Sequence, residues 1–347
     1  MKILYLTDTH IRGTSPRSRL DDMPAALKAK LGEVVALAKE HQVAAILHGG
    51  DLFDRPDVAP AVAREFLQVL VEAPCPIYGI AGNHDLYGFN PQTVVRTMLG
   101  LFDSFGLFRL LRPGERVWVE EGGLRVQITG QEFHAELDRR DPVLDYCLRP
   151  EAEAGPEQLH RRSGEADFAI HLTHGMLLER PFFEGTAHTL LEAIMDQTVA
   201  DVTFGGHYHP GFAKIHARDG RLFINPGALV RLGSQRADFH RPVQVVLLTL
   251  EKGEPVRAEL IPLATARPGE EVLDRADEEG QLAREQALAD FILGIGDASQ
   301  FEVLEVQQIM ERIAENGGVP PTVKAEALRR LGLAQEELAR GGEEEPA

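Results

Sequence analysis

Cysteine is scarce in this chain: Cys75 and Cys147 are the only two thiols in 347 residues. Two thiols cannot build a disulfide framework, so a hydrophobic core must hold the fold, and a reducing cytoplasm is the expected compartment. Cys75 lies between Pro74 and Pro76 and reads as a packing residue. Long apolar runs are also missing. None approaches the ~20 residues that cross a bilayer, so no membrane partner is expected. The N-terminus has no charged region followed by a signal-type apolar segment, and Met1-Lys-Ile-Leu-Tyr-Leu6 reads as a strand. Positive charge is short as well, with 36 Lys and Arg against 54 Asp and Glu and a net charge of −18. Phosphate backbones are bound by Lys and Arg, so this balance alone would exclude a nucleic-acid partner. Its distribution softens the exclusion. Residues 251–347 contain 22 Asp or Glu and 10 Lys or Arg, which leaves a net of only −6 on residues 1–250. Bound divalent cations would neutralise part of that remainder.

What is present is a chain that is 44% hydrophobic and 26% charged, long enough for one large domain or two ordinary ones. Residues 2–7 form an apolar run of strand length, and residues 24–41 carry Leu27, Leu31, Val34, Val35 and Ala38 at helical spacing. The alternation repeats, with strands at Val43–Leu47 and Ile77–Ile80 around a helix at Ala59–Val71. Strands alternating with helices predict right-handed crossovers and a largely parallel sheet with ligands at the strands' carboxyl ends. Shorter strands follow at Arg116–Val119, Leu124–Thr129, Phe168–Thr173, Val202–Phe204, Phe212–His216, Arg221–Ile224 and Val243–Leu250, separated by Gly-rich turns. Two packed sheets with helices outside is the simplest assembly. Residues 150–166, rich in Glu, Gly, Arg and Pro, read as an exposed connection. The chain thus divides into a domain over 1–250, a linker over 251–270, a charged helical region over 271–340 and a frayed tail over 341–347.

Five stretches place a metal-ligating side chain just beyond an apolar run: Asp8-Thr-His10, Gly50-Asp51, Gly82-Asn83-His84-Asp85, Thr173-His174-Gly175 and Gly206-His207-Tyr208-His209. Each alone has an ordinary structural reading as a cap, a turn or a core histidine. All five together predict a dinuclear metal site. Phosphate ester cleavage at neutral pH needs a strong nucleophile and neutralisation of charge in the transition state, and two ions about 3.5–4 Å apart supply both. One carboxylate must bridge them, and Asp51, after Gly49-Gly50, is the candidate. The mixed Asp, His and Asn set suits manganese, iron or zinc better than magnesium, and Mn2+ is the expected ion.

The order of these motifs resembles that of the calcineurin-like metallophosphoesterase superfamily, and every motif is present. The resemblance implies an α/β fold, a four-layer αββα sandwich over about residues 1–250, here with a small C-terminal helical appendage. It further implies that Asp8, His10 and His209 hold one metal ion, that Asn83, His174 and His207 hold the second, and that Asp51 bridges. His84 resembles the family's catalytic histidine, and Asp85 would orient it. Leu47-His-Gly-Gly-Asp-Leu-Phe-Asp54, Arg55-Pro56 and Asn225-Pro-Gly-Ala228 look like the SbcD-type branch of double-strand-break repair nucleases. That branch implies an exonuclease or endonuclease acting on DNA by in-line attack of a metal-bridging hydroxide, an SbcC-like coiled-coil ATPase partner and a homodimer. Residues 271–340 would dock that partner or cap the sandwich. Arg12, Arg17 and Arg19 are candidate phosphate contacts or else partners of Asp21 and Asp22, and His48 and His134 are candidates for the cleft edge. Trp118, Phe182 and Phe183 could stack bases or be core. The alternative substrate is a small or cyclic nucleotide, and the alternative class is a non-catalytic scaffold, which would require lost ligands.

Overall fold

The computed structural model describes residues 1–182, 186–233, 236–274 and 329–330. Its principal strands are, in chain order, β1 (Lys2–Leu6), β2 (Ala45–His48), β3 (Ile77–Gly79), β4 (Arg109–Leu110), β5 (Val117–Glu121), β6 (Leu124–Gln131), β7 (Phe168–Thr173), β8 (Val202–Gly205), β9 (His216–Arg218), β10 (Arg221–Ile224), β11 (Gln244–Thr249) and β12 (Arg257–Pro262). They form two mixed sheets. The first has the order β12-β11-β1-β2-β3-β4 and the second β9-β10-β8-β7-β6-β5. In each, four neighbouring strands run parallel, β1 to β4 in the first and β6, β7, β8 and β10 in the second, and the other pairings are antiparallel. The parallel strands therefore present their carboxyl ends along one rim, where all five sequence motifs begin.

Strand periodicity explains the layers, because successive side chains on a strand point to opposite faces. On β1, Ile3 and Tyr5 join Leu47, Val126, Ile170, Phe204 and Val246 in a core between the sheets. Leu4 and Leu6 face the other way, into a core with Leu27, Leu31 and Phe66 from the helices α1 (Met23–His41) and α2 (Pro60–Leu70). Helix α1 starts where the Asp22 carboxylate accepts from Ala25 N, and it stops at Gln42, whose φ of 53° leaves the helical region. One cation on its buried face is tied across the fold: Lys30 Nζ donates to Leu229 O at 2.8 Å.

The outer cover of the second sheet is thinner, made of the short helices Val143–Tyr146 and Leu191–Met195 with the loop around residue 160. The sandwich is thus αββα with unequal outer layers. Residues 150–166 are only partly exposed: Arg149–Pro150 pairs with Arg161–Arg162, and Gln158, His160 and Ser163 are buried. The reason is the polar outer face of β6 and β7, whose Gln127, Gln131 and His171 need partners that an apolar helix could not supply. His160 Nε2 donates to Gln131 Oε1 at 2.8 Å, and His171 Nε2 donates to Asp145 O at 2.8 Å. Two further boundaries differ from expectation. No strand covers residues 212–215, and the strand is His216–Arg218. Within the expected linker 251–270, Arg257–Pro262 is β12, the outermost strand of the first sheet. Beyond the short helix Gly269–Val272, the expected helical region and tail over 271–340 and 341–347 lie outside the described residues, apart from 271–274 and 329–330.

Burial holds His171 neutral, with its pKa pushed down to about 4, and drives His160 well below the ordinary histidine value. For His171 the unfolded chain takes up a proton near pH 6.5 and the folded protein only near pH 4. Its contribution is therefore intact above pH 6.5 and is lost as pH falls toward 4, by up to about 3 kcal/mol. Urea denaturation of metal-free His171→Gln and parent protein between pH 4 and 7.5 should show a shallower acid loss in the variant. Equal slopes would remove His171 from the acid sensitivity.

Candidate metal centre

The ligand-bearing loops leave their strands through unusual backbone. Asp8, His10, Asp51 and His207 have φ of 52°, 44°, 53° and 68°, a left-handed conformation that side chains other than glycine rarely adopt. Such positions cost about 1–3 kcal/mol each and persist where the surroundings hold them. Here the holding groups are visible. Asp8 N donates to Gly50 O, His10 N to Asp51 O, and His207 N to both oxygens of the Asp8 carboxylate at 3.2 Å. Two glycines are needed for close approach. A Cβ on Gly50, with φ of 102°, would lie 2.3 Å from His174 Nδ1, and one on Gly82 would lie 2.1 Å from Asp51 Oδ1.

These turns gather two groups of potential ligand atoms that share Asp51, with Asp8, His10, Asp51 and His209 in the first and Asp51, His174 and His207 in the second, and a third, His10, Asp54 and His84, beside the first; in each the atoms lie within 4.8 Å of one another. His10 Nε2 and His209 Nε2 are 3.0 Å apart, a separation natural for two nitrogens each about 2.1 Å from one ion. His209 Nε2 lies 3.5 Å from Asp8 Oδ1. In the second group Asn83 Oδ1 lies 3.2 Å from His174 Nε2. Asp51 belongs to both. Its Oδ1 accepts from His84 N at 2.9 Å, while Oδ2 stands 3.6 Å from His10 Nε2 and 3.3 Å from His174 Nε2. Oδ2 is buried and has no hydrogen-bond donor among the described residues. A buried carboxylate oxygen without a donor is expensive, and an oxygen that faces a histidine of each group fits two divalent cations.

The electrostatics agree with that fit. Burial alone would favour neutral carboxyls, yet His209 and then His174 hold Asp8, and His174 and then His84 hold Asp51, below the usual carboxylate range. Burial would lower His174, but Asp51, Asp8 and the Gly49 carbonyl raise it to about 9. Burial and the adjacent His174 push His207 down to about 3. His174 thus keeps a proton beside two ionised aspartates, and a bound cation would displace the former and pair with the latter. His174 Nδ1 donates to Gly49 O at 2.7 Å, which leaves Nε2 as the ligating nitrogen.

His84 stands beside the first group, its ring edge-on to His10 with centroids 4.8 Å apart. Its Nδ1 donates to the backbone carbonyl of Asp54 at 3.0 Å, so Nε2 is the nitrogen free for substrate. Burial lowers its pKa, but Asp51 and the Asp54 carbonyl outweigh it and the net shift is upward. The structure corrects the role expected of Asp85. Its carboxylate accepts from Leu52 N, Phe53 N and Gly82 N at 3.2, 2.9 and 2.9 Å, joining the loops that carry Asp51 and Asn83, and the Asp54 carbonyl orients His84. Burial and then Asp51 push Asp85 up to about 7.

Of the rim candidates, Arg12 is near the centre, its guanidinium 3.0 Å from Asp54 Oδ2 and partly exposed. Arg17 is exposed. Arg19 is buried, binds Asp21 with two nitrogens and donates to Arg231 O at 2.9 Å, so it braces the loop and is withheld from a phosphate. His48 is buried as well: Gly50 N donates to its Nδ1, which leaves Nε2 to donate to Thr9 Oγ1 at 3.2 Å, and it touches no open cleft. His134 faces Asp145 at 3.2 Å and belongs to the Asp145–Arg140 ion pair, away from both ligand groups. Trp118 lies under the Arg125 guanidinium, Phe182 is exposed, and Phe183 lies outside the described residues. Sequence reasoning missed Asp54. The signal available was a second acid three residues after Asp51.

Residues 1–211 match the family model of the calcineurin-like phosphoesterases. The DNA double-strand break repair protein Mre11 of Aeropyrum pernix is 33% identical over 159 residues, which cover 43% of this chain and 37% of that protein. The chain therefore matches well under half the length of this curated relative. Among solved structures, the calcineurin-like phosphoesterase YfkN from Bacillus subtilis aligns at 13% identity with a TM-score of 0.44, over 83% of this chain and 96% of that one. With a family match that spans more than half of its length and begins at the strand bearing Asp8 and His10, this chain belongs to the calcineurin-like phosphoesterases.

Proposed function

We propose that the protein is a two-metal-dependent phosphodiesterase acting on DNA, an exonuclease or endonuclease in repair or recombination. The observation that supports DNA is the 33% identity, over 159 residues, to a break-repair protein. The chemistry rests on the Asp51 oxygen shared by two ligand groups, with His84 Nε2 beside them. Asp8, His10 and His209 would hold one ion, Asn83, His174 and His207 the other, and Asp51 both, with manganese as the native metal. When bound, such ions lower the pKa of water and neutralise charge on the phosphoryl oxygens. His84, protonated on both ring nitrogens, gives its Nε2 proton to the departing sugar oxygen, and the Asp54 carbonyl holds Nδ1–H before and after the transfer. Arg12 and Arg17, on the loop after β1, contact the flanking phosphates. An SbcC-like coiled-coil ATPase as partner, a homodimer and a cytoplasmic location complete this reading. They rest on the resemblance of the motifs, and among the described residues no helix is long and apolar enough to cross a membrane.

The test is a panel. Mn-loaded protein is incubated with linear duplex, hairpin and single-stranded DNA, beside bis-p-nitrophenyl phosphate and cyclic nucleotides. Cleavage of DNA that is abolished by chelation is expected. Cleavage of the small esters with every DNA left intact would replace the nuclease reading by the small-nucleotide one, to which the acidic net charge is better suited.

A further inference from the structure

Asp54 meets the centre through three atoms. Its carbonyl accepts from His84 Nδ1, its Oδ1 lies 3.5 Å from His10 Nδ1, and its Oδ2 lies 3.0 Å from the Arg12 guanidinium. The side of His10 that faces Asp54 is the side away from the ligand group, since His10 Nε2 points at Asp8, Asp51 and His209. A neutral imidazole that offers Nε2 to a cation must carry its proton on Nδ1. That nitrogen is fully buried and makes no hydrogen bond with good geometry among the described residues. A buried N–H needs an acceptor, and Asp54 Oδ1 is the charged acceptor placed to close on it. The same carboxylate anchors Arg12 at the rim, where the guanidinium is 29% exposed. Arg12 Nη2 also donates to Thr14 Oγ1 at 3.5 Å, and an arginine already held by one carboxylate oxygen meets a ligand at less entropic cost.

We propose that Asp54 is a positioning residue that couples the two halves of the site, fixing His10 in its ligating tautomer with one oxygen and holding Arg12 as a phosphate clamp with the other. The clamp half rests on the phosphodiester reading above, and the metal half does not. Ile11 and Phe53 join the two loops through a bridge in the backbone, so both partners of the carboxylate are fixed relative to Asp54. Asp54 also differs from Asp85, whose oxygens are taken up by backbone amides.

The test uses the full chain and Mn2+ alone, by calorimetric titration, followed by kinetics on bis-p-nitrophenyl phosphate and on an oligonucleotide. Asp54→Ala should weaken one of the two binding events by about 10–100-fold, the range for loss of a carboxylate behind a ligating histidine, and leave the other within twofold. Arg12→Ala should leave both metal affinities unchanged and raise KM for the oligonucleotide several-fold at constant kcat. Asp54→Asn, which keeps an acceptor oxygen for His10 but no charge for Arg12, should recover most of the metal affinity and still show the raised KM. Wild-type metal affinity in folded Asp54→Ala, or equal weakening of both ions, overturns the proposal. If Asp54→Ala does not fold, Asp54→Asn decides: metal affinity and KM both at wild-type values would overturn it. Two ions bound with normal affinity but no DNA cut by the parent enzyme would instead count against the DNA substrate and leave the metal half standing.

Discussion

His84→Gln is expected to lower turnover by about 10²–10⁴-fold while both metal ions remain bound. The separation of the two readouts follows from the geometry. The contact from residue 84 to Asp51 is made by the backbone amide, at 2.9 Å from Oδ1, and a side-chain change leaves it in place. Asp51 therefore keeps its orientation toward both ligand groups. The imidazole itself is held by Asp54 O at 3.0 Å and stands edge-on to His10. Glutamine can donate a hydrogen bond to the same carbonyl, but it has no ring nitrogen that gains and loses a proton near neutrality. What is lost is proton transfer to the leaving oxygen, and substrate binding should change little, so the deficit falls on kcat. Metal content by elemental analysis and kcat on bis-p-nitrophenyl phosphate check it. A variant that loses an ion along with its activity would show His84 to be a ligand.

Asp51→Asn should remove both ions together and reduce hydrolysis to background. Asparagine can keep the acceptor for His84 N, but an amide nitrogen would replace Oδ2, which stands 3.3–3.6 Å from His174 and His10. An NH2 group donates and carries no charge, so it opposes a cation from either group. Because the ions bind the native state and not the unfolded chain, they raise stability by mass action. Adding Mn2+ should therefore raise the Tm of the wild type and leave that of Asp51→Asn nearly unmoved. Loss of a single equivalent of metal in the variant would place the bridge elsewhere.

Much of this centre was readable without coordinates. The phosphoesterase motifs stand at the ends of apolar runs, and an apolar run of five or six residues between polar turns has few fates other than a buried strand. The side chains of β1 divide cleanly, Ile3 and Tyr5 to the core between the sheets and Leu4 and Leu6 to the helices, so two faces of burial were implied by the unbroken hydrophobicity of the segment. Residue type did the rest at the rim, because few chemistries other than a pair of cations ask for Asp, His and Asn together at converging strand ends.

The roles of the neighbours were not readable, for a physical reason: they are set by partners distant in sequence. Arg19 had two readings in the sequence, a phosphate contact or a partner of Asp21, and the choice fell to the second because its buried guanidinium also meets Arg231 O, 212 residues away. His48 looked like a residue of the cleft and is instead a brace between Thr9 and Gly50. Asp85 follows His84 directly, yet a chain turn sends its carboxylate to the amides of Leu52 and Phe53, and the carbonyl of Asp54 takes its expected place. By itself the sequence determined the family, the two-sheet plan and the residues that gather at the candidate metal centre, since these depend on local hydrophobic pattern and on donor chemistry. Only the tertiary structure decided which carboxylate stands behind which histidine, because a hydrogen bond depends on a few tenths of an ångström between atoms that no local pattern relates.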